Sequence, residues 1–425
     1  MRRLGFLLLT VLLLTGACTA VAKPALSVLA SWTGDEEKAF KAVLRGFTEE
    51  TGIEVTYTGT RALSQVLRSD VQKGQPPDVA VLPSPGELAT YVRTGDVQPI
   101  DGVLGPHPEE SYSEQWLQLQ RAGTGNLYVV PVKTDLKSII WHEPAVSRAP
   151  ESWDELRRLA DEIQATGHAP WCVGMGAPPA SGWPGTDWIE DILLHQAGPE
   201  VYGRWASGTL EWTSPAVRQA WTTWGALVTK PGAIDGGPAA ALLTDFDDAR
   251  RPMFADRPEC SLEHLASFAL VGYRSITKAG KPLVPGQDFD YFAFPGADAS
   301  EVSADLAAMF RSSDGARRLL SYLASEKAQR IWPSFGNAFS ANKKVDVYAD
   351  PVSKRIAKTL TSASTLCFDA SDLMPAQMSS AFFRAVLTYL ADPEQLDPVL
   401  RDLELIRKGT ESNRLEVPCG RRTTG

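Results

Sequence analysis

The sequence lacks the short motifs that mark most nucleotide-binding and hydrolytic proteins. It contains no GxxxxGK[ST] phosphate loop and no GxSxG nucleophile motif, and "GMGAPP" at 174–179 does not have the GxGxxG spacing. Carboxylates are plentiful, but no pair has the spacing of an acid/base couple. These absences leave an ATPase or a serine hydrolase without support, and the sequence predicts no enzymatic activity.

Metal-binding patterns are equally scarce. The chain has no CxxC, no HExxH and only five scattered histidines. The remaining cysteines after position 18 are four in number, and three pairings of them are possible. A metal site is the weaker interpretation of these residues, and we expect neither a bound metal nor another cofactor.

A basic, aromatic-interleaved stripe of the kind that binds nucleic acid is also missing. The net charge is −9, and removal of Arg2 and Arg3 with the leader described below takes it to −11. An acidic protein repels phosphate backbones. The charge therefore argues against nucleic acid as a partner.

Long apolar runs are limited to the start of the chain. Two arginines precede an apolar stretch from Leu4 to Leu14, which then gives way to "TGAC". This order is typical of a signal peptide and is too short to span a bilayer comfortably. "LTGAC" resembles a bacterial lipobox, so residues 1–18 are predicted to be a lipoprotein signal ending at a lipidated Cys18. Ordinary secretory cleavage with an incidental cysteine is the alternative.

What is present is a regular alternation of strand and helix patterns in 425 residues, a length that favours two domains. "LSVLAS" (26–31), "IEVTYTG" and "PPDVAVLP" read as strands, each followed by a helical pattern. Such alternation predicts an α/β fold with a mostly parallel sheet flanked by helices. A short tether at 19–25 precedes it. "SLEHLASFALVGY" and "FDYFAFPG" read as further strands, and the tail from about 344 reads as helical.

Aromatic and short polar residues are concentrated where strands give way to helices. Ligands of open α/β sheets bind beyond the carboxyl ends of the strands, so these junctions are the place to look for a site. The candidates are Trp32 and Thr33 in "ASWTGDEE", Asp78 in "PPDVAVLP", Trp183, Thr186 and Asp187 in "SGWPGTDW", and Asp369 in "FDASD".

Sugars suit these side chains. The C–H face of a pyranose stacks on an aromatic ring, and its hydroxyls pair with carboxylates, amides and threonine hydroxyls. Each candidate also has a structural alternative: Trp32 could fill the core at a strand end, Thr186 or Asp187 could cap a helix, and Asp78 and Asp369 could form turns. The tryptophans at helical spacing are assigned to the core; they are Trp205, Trp212, Trp221 and Trp224.

Several stretches resemble, in order, the family 1 extracellular solute-binding proteins, the sugar-binding subunits of ABC importers. The likeness runs from about 26 to 410. The matching stretches are the opening strand and helix with "PPDVAVLPSPGELA", "VPVKTDLKSIIWH", "SGWPGTDWIEDILL", "FDYFAFPG", "SFGNAFSANKKV" and "FDASDLMP". "GWPGTDW" and "FDASDLMP" look closest to the alpha-glucoside-binding branch. "WHEPAV" departs from the aromatic-asparagine pair that is commoner there.

The resemblance implies two α/β lobes joined by crossing strands, with a sugar in the cleft between them. It implies lobe I at 26–135 plus 296–342 and lobe II at 136–295 plus 343–425. Disulfides Cys172–Cys260 and Cys367–Cys419 would then each join neighbours within one lobe. The seven candidates named above match the family's site positions. The implied partners are a sugar, permease subunits and a separate ATPase, and the implied location is the outer face of the cell membrane, as a lipid-anchored monomer.

Three functions compete on this evidence. The leading hypothesis is a lipoprotein that delivers a di- or oligosaccharide, most simply an alpha-glucoside, to an importer. The second is a secreted glycan-active enzyme with Asp187 and Asp369 on opposite sides of a sugar. The third is a sugar sensor for a membrane receptor.

Overall fold

The computed structural model describes residues 25–146, 148–336, 338–410 and 419–421. Two large sheets organise them, each flanked by helices. The strands are β1 (Leu26–Ala30), β2 (Val55–Gly59), β3 (Val79–Leu82), β4 (Val129–Leu136), β5 (Ile139–His142), β6 (Ala169–Trp171), β7 (Cys260–His264), β8 (Thr277–Lys278), β9 (Lys281–Pro282), β10 (Asp290–Ala293), β11 (Ser300–Met309), β12 (Thr365–Phe368) and β13 (Cys419–Arg421).

The helices are distributed between the strands along the whole chain. They are α1 (Gly34–Thr51), α2 (Leu63–Gln72), α3 (Pro85–Thr94), α4 (Glu114–Leu119), α5 (Trp153–Ala165), α6 (Trp183–Ala206), α7 (Pro215–Val228), α8 (Gly237–Leu243), α9 (Ala269–Ser275), α10 (Asp314–Ala324), α11 (Glu326–Ile331), α12 (Pro351–Ser362), α13 (Ala370–Leu373), α14 (Ala376–Ala391) and α15 (Leu396–Gly409).

The larger sheet has seven strands and forms the first lobe. Its order is β13-β12-β11-β3-β1-β2, and β4 pairs with β11 beside this path. β1 is parallel to β2 and β3, whereas β11 is antiparallel to β3 and β4. The smaller sheet, in the order β10-β5-β7-β6, forms the second lobe. The two-lobed α/β architecture predicted from the sequence is confirmed, with sheets of mixed rather than purely parallel orientation.

The lobes are joined where strands pass from one sheet to the other. Leu136 pairs with Val302 in the larger sheet, and Ile139 pairs with Ala293 in the smaller sheet, so 137–138 is one crossing. The return crossing lies between β10 and β11. The two crossings bond to each other, because Lys137 N donates to Glu301 O at 2.8 Å and Phe294 N donates to Ser138 O at 2.9 Å. These paired crossings form the hinge.

The carboxyl-terminal part of the chain contributes to both lobes. Helix α14 packs against α6 and α8 of the second lobe. Strands β12 and β13, by contrast, extend the larger sheet of the first lobe. The sequence assigns all of 343–425 to lobe II. Strands β12 and β13 lie within 343–425 but pair in the sheet of the first lobe. The lobe boundaries stay a prediction.

Helix ends follow the expected local chemistry. Ser152 accepts a hydrogen bond from Glu155 N at the start of α5, and Ser313 accepts one from Ala316 N at the start of α10, as serine does at many helix starts. Helix α1 begins with three acids, and Gly52 after its end has φ 69°. Acids near the helix amino terminus and a left-handed glycine after its end are the expected boundary signals.

Two of the predicted elements were wrong. "SLEHLASFALVGY" is strand β7 followed by helix α9, because a continuous apolar run does not distinguish a buried strand from a buried helix. The tail from about 344 is not wholly helical, because it also contains strands β12 and β13, which are set by pairing with distant strands. In "SGWPGTDW", α6 begins at Trp183, directly after Gly182 with φ 105°. Pro184 fits within the first turn of a helix because the missing N–H has no intrahelical acceptor there.

The second lobe has a tryptophan-rich core, as predicted. Trp205 and Trp212 pack edge-on with ring centroids 4.9 Å apart, and both contact Phe382 of α14. Trp221 and Trp224 contact Tyr389 on the same helix. All four are almost completely buried.

Both predicted disulfides are present. Cys172 and Cys260 connect the neighbourhood of β6 to β7, with their Cα atoms 5.3 Å apart. Cys367 and Cys419 connect β12 to β13, with their Cα atoms 3.9 Å apart. Each bridge therefore joins neighbouring strands of one sheet.

The predicted signal segment and Cys18 lie outside the described residues. In the portion of the chain that the structure describes, no helix combines the length and the apolar character needed to cross a membrane.

Candidate functional site

A row of charged residues, called the floor below, lies at the end of β4, where the chain crosses from one lobe to the other. Lys133, Asp135 and Lys137 occupy alternate positions, so their side chains leave the same face of the strand. All three are about 5% exposed. Charged residues are rarely buried unless they are paired, so each should have a partner.

Lys133 is paired on the side of the first lobe. Its Nζ atom lies 3.0 Å from Glu36 in the first turns of α1 and 3.9 Å from Asp135. Asp135 also accepts a 2.8 Å hydrogen bond from Ser267, which follows β7 in the second lobe. Lys133 therefore contacts a helix of the first lobe, and Asp135 contacts a residue of the second lobe.

Asp305 faces this group from β11. It pairs in register with Lys133, next to an irregularity in the β4–β11 ladder. Burial raises the pKa of Asp305 to about 7. The nearby ammonium group of Lys133 lowers this pKa, whereas the carboxylates of Glu36 and Asp135 raise it further. Burial also raises the pKa of Asp135, although Lys133 opposes it.

Lys137 is paired on the side of the second lobe. Its Nζ atom donates to Asp187 of α6 at 2.9 Å and also contacts Asp369, which precedes α13. Both carboxylates are 2% exposed or less. Lys137 thus joins three segments that are far apart in sequence.

Further acids surround this lysine. Glu190 accepts hydrogen bonds from the backbone N–H groups of Ala370 and Ser371, and Asp191 accepts from His264 at 2.7 Å. Burial raises the pKa of Glu190 well above its usual range and that of Asp187 to about 8. The pKa of Asp369 is lowered despite burial, because Lys137 and Ser371 stabilise its charge.

Among the residues that the structure describes, Asp187, Glu190 and Asp369 form a group whose geometry could hold a cation. Their nearest carboxylate oxygens lie within 4.8 Å of one another. Lys137 already places an ammonium group against two of them. The cluster is therefore an ion network with its own internal cation, and burial favours the protonated forms of Asp187 and Glu190.

Aromatic rings stand beside each lysine of the floor. The ring of Trp183 lies 5.8 Å from Lys137 Nζ and contacts Phe246 and Phe268 edge-on. The ring of Trp332 lies 5.9 Å from Lys133 Nζ. Trp183 is half-buried, whereas Trp332 is almost fully buried. The partly accessible aromatic ring is therefore that of Trp183, in the second lobe; Trp183 and Phe268 are called the aromatic wall below.

Two of the sequence-predicted residues of the first lobe, Trp32 and Thr33, follow the carboxyl end of β1. Trp32 follows β1 but is only 2% exposed, and it packs against Phe40 and Trp332. This is the core position that the sequence left as an alternative. Thr33 is half-buried at the start of α1, and its side chain makes no capping hydrogen bond. Its hydroxyl is thus the group that this junction can offer a ligand.

Two further candidates have local structural roles. Thr186 is fully buried and donates to Trp183 O at 2.9 Å, within the first turns of α6. Asp369 accepts from Asp372 N at 2.8 Å and so begins α13, in addition to its contact with Lys137. Neither Thr186 nor Asp187 caps α6, whose cap position is Gly182.

Asp78 is not brought together with the others. Its carboxylate accepts hydrogen bonds from the backbone N–H and the hydroxyl of Ser27, each at 2.8 Å. It also forms an ion pair with Arg311 at 3.0 Å. Ser27 and Asp78 are at the amino ends of β1 and β3, whereas Trp32 follows the carboxyl end of β1. Asp78 therefore stabilises the end of the sheet that lies opposite Trp32.

The residues that sequence reasoning missed are those of the floor and its surroundings: Glu36, Lys133, Asp135, Lys137, Glu190, Phe268 and Asp305. One signal was available. Three charges at alternate positions in the otherwise apolar stretch "VVPVKTDLKSII" predict one charged face on a strand buried on both sides.

Several known proteins are similar to this chain over most of its length. The model of the bacterial extracellular solute-binding protein family matches residues 31–330. The chain is 32% identical over 393 residues to the alpha-glucosides-binding periplasmic protein AglE of Rhizobium meliloti, covering 88% of this chain and 84% of that protein. It is also 32% identical over 370 residues to the osmoprotective compounds-binding protein GgtB of Synechocystis, covering 84% of this chain and 86% of that protein.

Solved structures share the fold at lower identity. The bacterial solute receptor AcbH superposes with a TM-score of 0.77 at 17% identity, covering 91% of this chain and 99% of that one. A chitin oligosaccharide binding protein also has a TM-score of 0.77, at 18% identity, covering 92% and 99%. The family match and the two relatives carry the assignment beyond the fold: the chain belongs to the bacterial extracellular solute-binding proteins of ABC transporters, which bind substrates and do not transform them.

Proposed function

We propose that the protein captures a di- or oligosaccharide with an alpha-linked glucose in the interlobe cleft and delivers it to a membrane permease driven by a separate ATPase. The observation that carries this proposal is the charged floor with an aromatic wall, formed by Lys133, Asp135, Trp183 and Phe268. This combination of flat apolar surface and fixed polar groups matches the two faces of a pyranose.

Each part has a defined task in sugar binding. The half-buried ring of Trp183 offers a surface for the C–H face of a sugar, and Phe268 holds that ring from its edge. Asp135 is oriented by Ser267 and can accept from sugar hydroxyls, while Lys133 can donate to them. Thr33 and Glu36 would complete the site from the first lobe when the lobes close.

The class of sugar is proposed from two relatives that cover most of this chain. AglE is named for alpha-glucosides and GgtB for osmoprotective compounds, and both align with most of this chain. The ligand set to be tested therefore includes alpha-linked disaccharides and small osmoprotective solutes.

The enzymatic alternative requires two carboxyl groups with a sugar between them, at roughly 5–9.5 Å. Asp187 and Asp369 instead share the ammonium group of Lys137 and are almost completely buried. This geometry leaves no room for a sugar between them. Delivery to a sensor in place of an importer remains a second use of the same binding site.

The proposal includes attachment to the outer face of the cell membrane through a lipidated Cys18, and function as a monomer. The order of arginines, apolar core and "TGAC" supports the anchor. Two or more acyl chains would hold the protein firmly at the membrane.

A calorimetric screen of the chain lacking residues 1–18 tests the ligand class. We expect maltose, trehalose or sucrose to bind at least tenfold more tightly than the beta-linked cellobiose, and the bound disaccharide to remain intact during prolonged incubation. Equal or tighter binding of cellobiose would refute the alpha-glucoside preference. Cleavage of the bound sugar in excess over the protein would refute the assignment as a binding protein.

A further inference from the structure

One carboxylate beside the floor lacks the kind of partner that its neighbours have. Glu36 pairs with Lys133, and Asp135 accepts a hydrogen bond from Ser267. Asp305 is half-buried in β11, yet it has neither a hydrogen bond nor an ion pair within the part of the chain that the structure describes. Carboxylates removed from water usually have a hydrogen-bonding partner, so Asp305 is free to accept one that the protein does not supply.

The side chain of Asp305 lies on the same face of the larger sheet as the floor. Asp305 pairs in register with Lys133, and Ser303 pairs with Asp135. Residues directly opposite each other in an antiparallel pair project to the same face, so both side chains stand beside the floor. The other positions of β11 from 301 to 309 are buried, whereas Ser303 and Asp305 are half-buried. The strand is therefore accessible at two polar positions, next to the charged row.

The cations of this neighbourhood are already engaged. Lys133 Nζ lies 3.0 Å from one carboxylate oxygen of Glu36, and Arg61 Nη2 lies 3.4 Å from the other. Lys133 Nζ also lies 3.9 Å from Asp135. Two cations are thus shared among three carboxylates, and the carboxylate left without an ion pair is that of Asp305.

These groups suit a solute that carries hydroxyls and no negative charge. A carboxylate accepts several hydrogen bonds, and bonds to a charged acceptor are stronger than those between neutral groups. A phosphate or carboxylate on the solute would instead place a like charge near Asp305, in surroundings that screen charge less than water does. Such juxtaposition of like charges is costly in a partly desolvated site.

We propose that Asp305 accepts hydrogen bonds from the hydroxyls of the bound solute and thereby restricts the site to neutral polyhydroxyl solutes, against their phosphorylated or acidic counterparts. This inference rests on the proposed function, because it names a contact and a solute charge for that same site. Strands β4 and β11 belong to one sheet, so the arrangement of Asp305 beside Lys133 does not depend on the separation of the lobes.

The test compares two solutes by isothermal calorimetry. One is whichever of maltose, trehalose and sucrose binds the parent most tightly, and the other is the 6-phosphate of that sugar. The measurements are made at pH 8, where Asp305, whose pKa burial raises to about 7, is mostly ionised. The full-length chain is used in a detergent without a sugar head group, as the parent, Asp305→Asn and Asp305→Ser.

The matched control is Asp70→Asn. Asp70 is a half-buried carboxylate of the first lobe as well, but it lies in the last turn of α2. Its removal changes the net charge of the protein by the same amount as Asp305→Asn. The control therefore separates the effect of charge beside the floor from the effect of the overall charge.

We expect the parent to bind the neutral sugar about a hundredfold more tightly than its phosphate. Asp305→Asn should weaken binding of the neutral sugar about tenfold without weakening binding of the phosphate, so the ratio of the two affinities falls about tenfold. Asp70→Asn should leave the ratio at the value of the parent.

An unchanged ratio in Asp305→Asn would overturn the inference even if both affinities fell, because a purely structural role of the carboxylate would weaken both solutes alike. Equal binding of the sugar and its phosphate by the parent would overturn it as well. If Asp305→Asn does not fold, the ratio in Asp305→Ser decides in the same way. A parent that binds none of the three sugars would refute the proposed function and this inference with it, whereas a parent that binds one and an unchanged ratio in the variant would refute the inference alone.

Discussion

At the scale of single residues, the site depends on charges whose partners are distant in sequence. Lys137 pairs with Asp187, fifty residues away, and with Asp369, 232 residues away. The candidates Asp187 and Asp369 could be named from their local motifs. Alternating charges indicate that the lysine between them lies on a charged strand face, but only the fold shows that its partners are Asp187 and Asp369.

The tryptophan that forms the accessible wall should matter for binding more than for stability. Trp183→Ala is expected to weaken sugar binding by about thirtyfold, since truncating a buried aromatic anchor costs about 2 kcal/mol of binding free energy. Its melting temperature should change little because the ring is half-exposed. Isothermal calorimetry and thermal unfolding measure the two effects.

Trp221→Ala is the matched control. Trp221 is completely buried and packs against Phe382 and Tyr389, so its loss should cost about 3–5 kcal/mol of unfolding free energy. If Trp183→Ala binds sugar normally but melts early, the ring has a packing role and the aromatic wall is wrongly assigned.

The buried acids predict that the protein is more stable at pH 5 than at pH 8. Burial raises the pKa of Asp187 to about 8. A carboxyl that holds its proton more tightly when folded contributes stability at low pH, and that stability is lost as the pH rises from about 4 toward 8. Asp187→Asn should therefore flatten the decline in unfolding free energy, measured with urea at pH 5, 6.5 and 8.

Asp78→Asn is the control for this prediction. Although burial opposes it, bonds from Arg311 and Ser27 lower the pKa of Asp78, so its contribution changes only below about pH 4. The variant should be less stable than the parent by the same amount at all three pH values. A parent curve that rises from pH 5 to pH 8 would contradict the assignment of raised pKa values to the cluster.

At the scale of helices and strands, local signals were sufficient where caps and periodicity agree. Helix α1 begins with three acids, and α5 and α10 begin after a capping serine, all of which are local signals of a helix start. The start of α6 is ambiguous in the sequence, because Gly182 and Pro184 mark a turn in most sequences and a helix start in this one. What decides between them is tertiary: Gly182 lies under the backbone of α14, where a Cβ atom would be 2.3 Å from Phe383 O.

The close approach of α6 and α14 can be tested at Gly185. A Cβ atom there would lie 2.4 Å from Val386 Cγ1 and 3.2 Å from Met175 Sδ. Gly185→Ala should reduce the free energy of unfolding by about 1–3 kcal/mol, because overpacking outweighs the better helix propensity of alanine. Gly125→Ala, where nothing lies within 4 Å, should change it by less than about 0.5 kcal/mol. Equal effects of the two substitutions in chemical denaturation would contradict the close packing.

At the scale of the whole molecule, the two-lobed fold followed from strand–helix alternation and from the order of the family motifs. The path of the chain between the lobes did not follow from either. Strand β12 joins the larger sheet through β11, while α14 packs in the other lobe, and only long-range pairing determines such a division. Lys133, Asp135 and Lys137 were missed for the same reason, because the partners that define their role are distant in sequence.

The location of the molecule gives a prediction at this scale. Cys18→Ala should prevent lipid attachment, so that the protein is recovered from the medium or the soluble extracytoplasmic fraction and not from membranes. Cell fractionation with immunoblotting measures this, and mass spectrometry of the parent should find a diacylated amino-terminal cysteine. Membrane recovery of the variant at the level of the parent would contradict the anchor.

The strand order of the larger sheet also constrains how the protein is made. Strand β11, which lies between β3 and β12, is synthesised about 220 residues after β3. At roughly 5–20 residues per second, β1, β2 and β3 wait on the order of ten seconds or more for the strand that completes their sheet. During that interval the growing chain cannot close its first lobe. A nascent chain that stays open in this way is suited to threading through a translocation channel, and it acquires its shape only after the last strands have reached the far side.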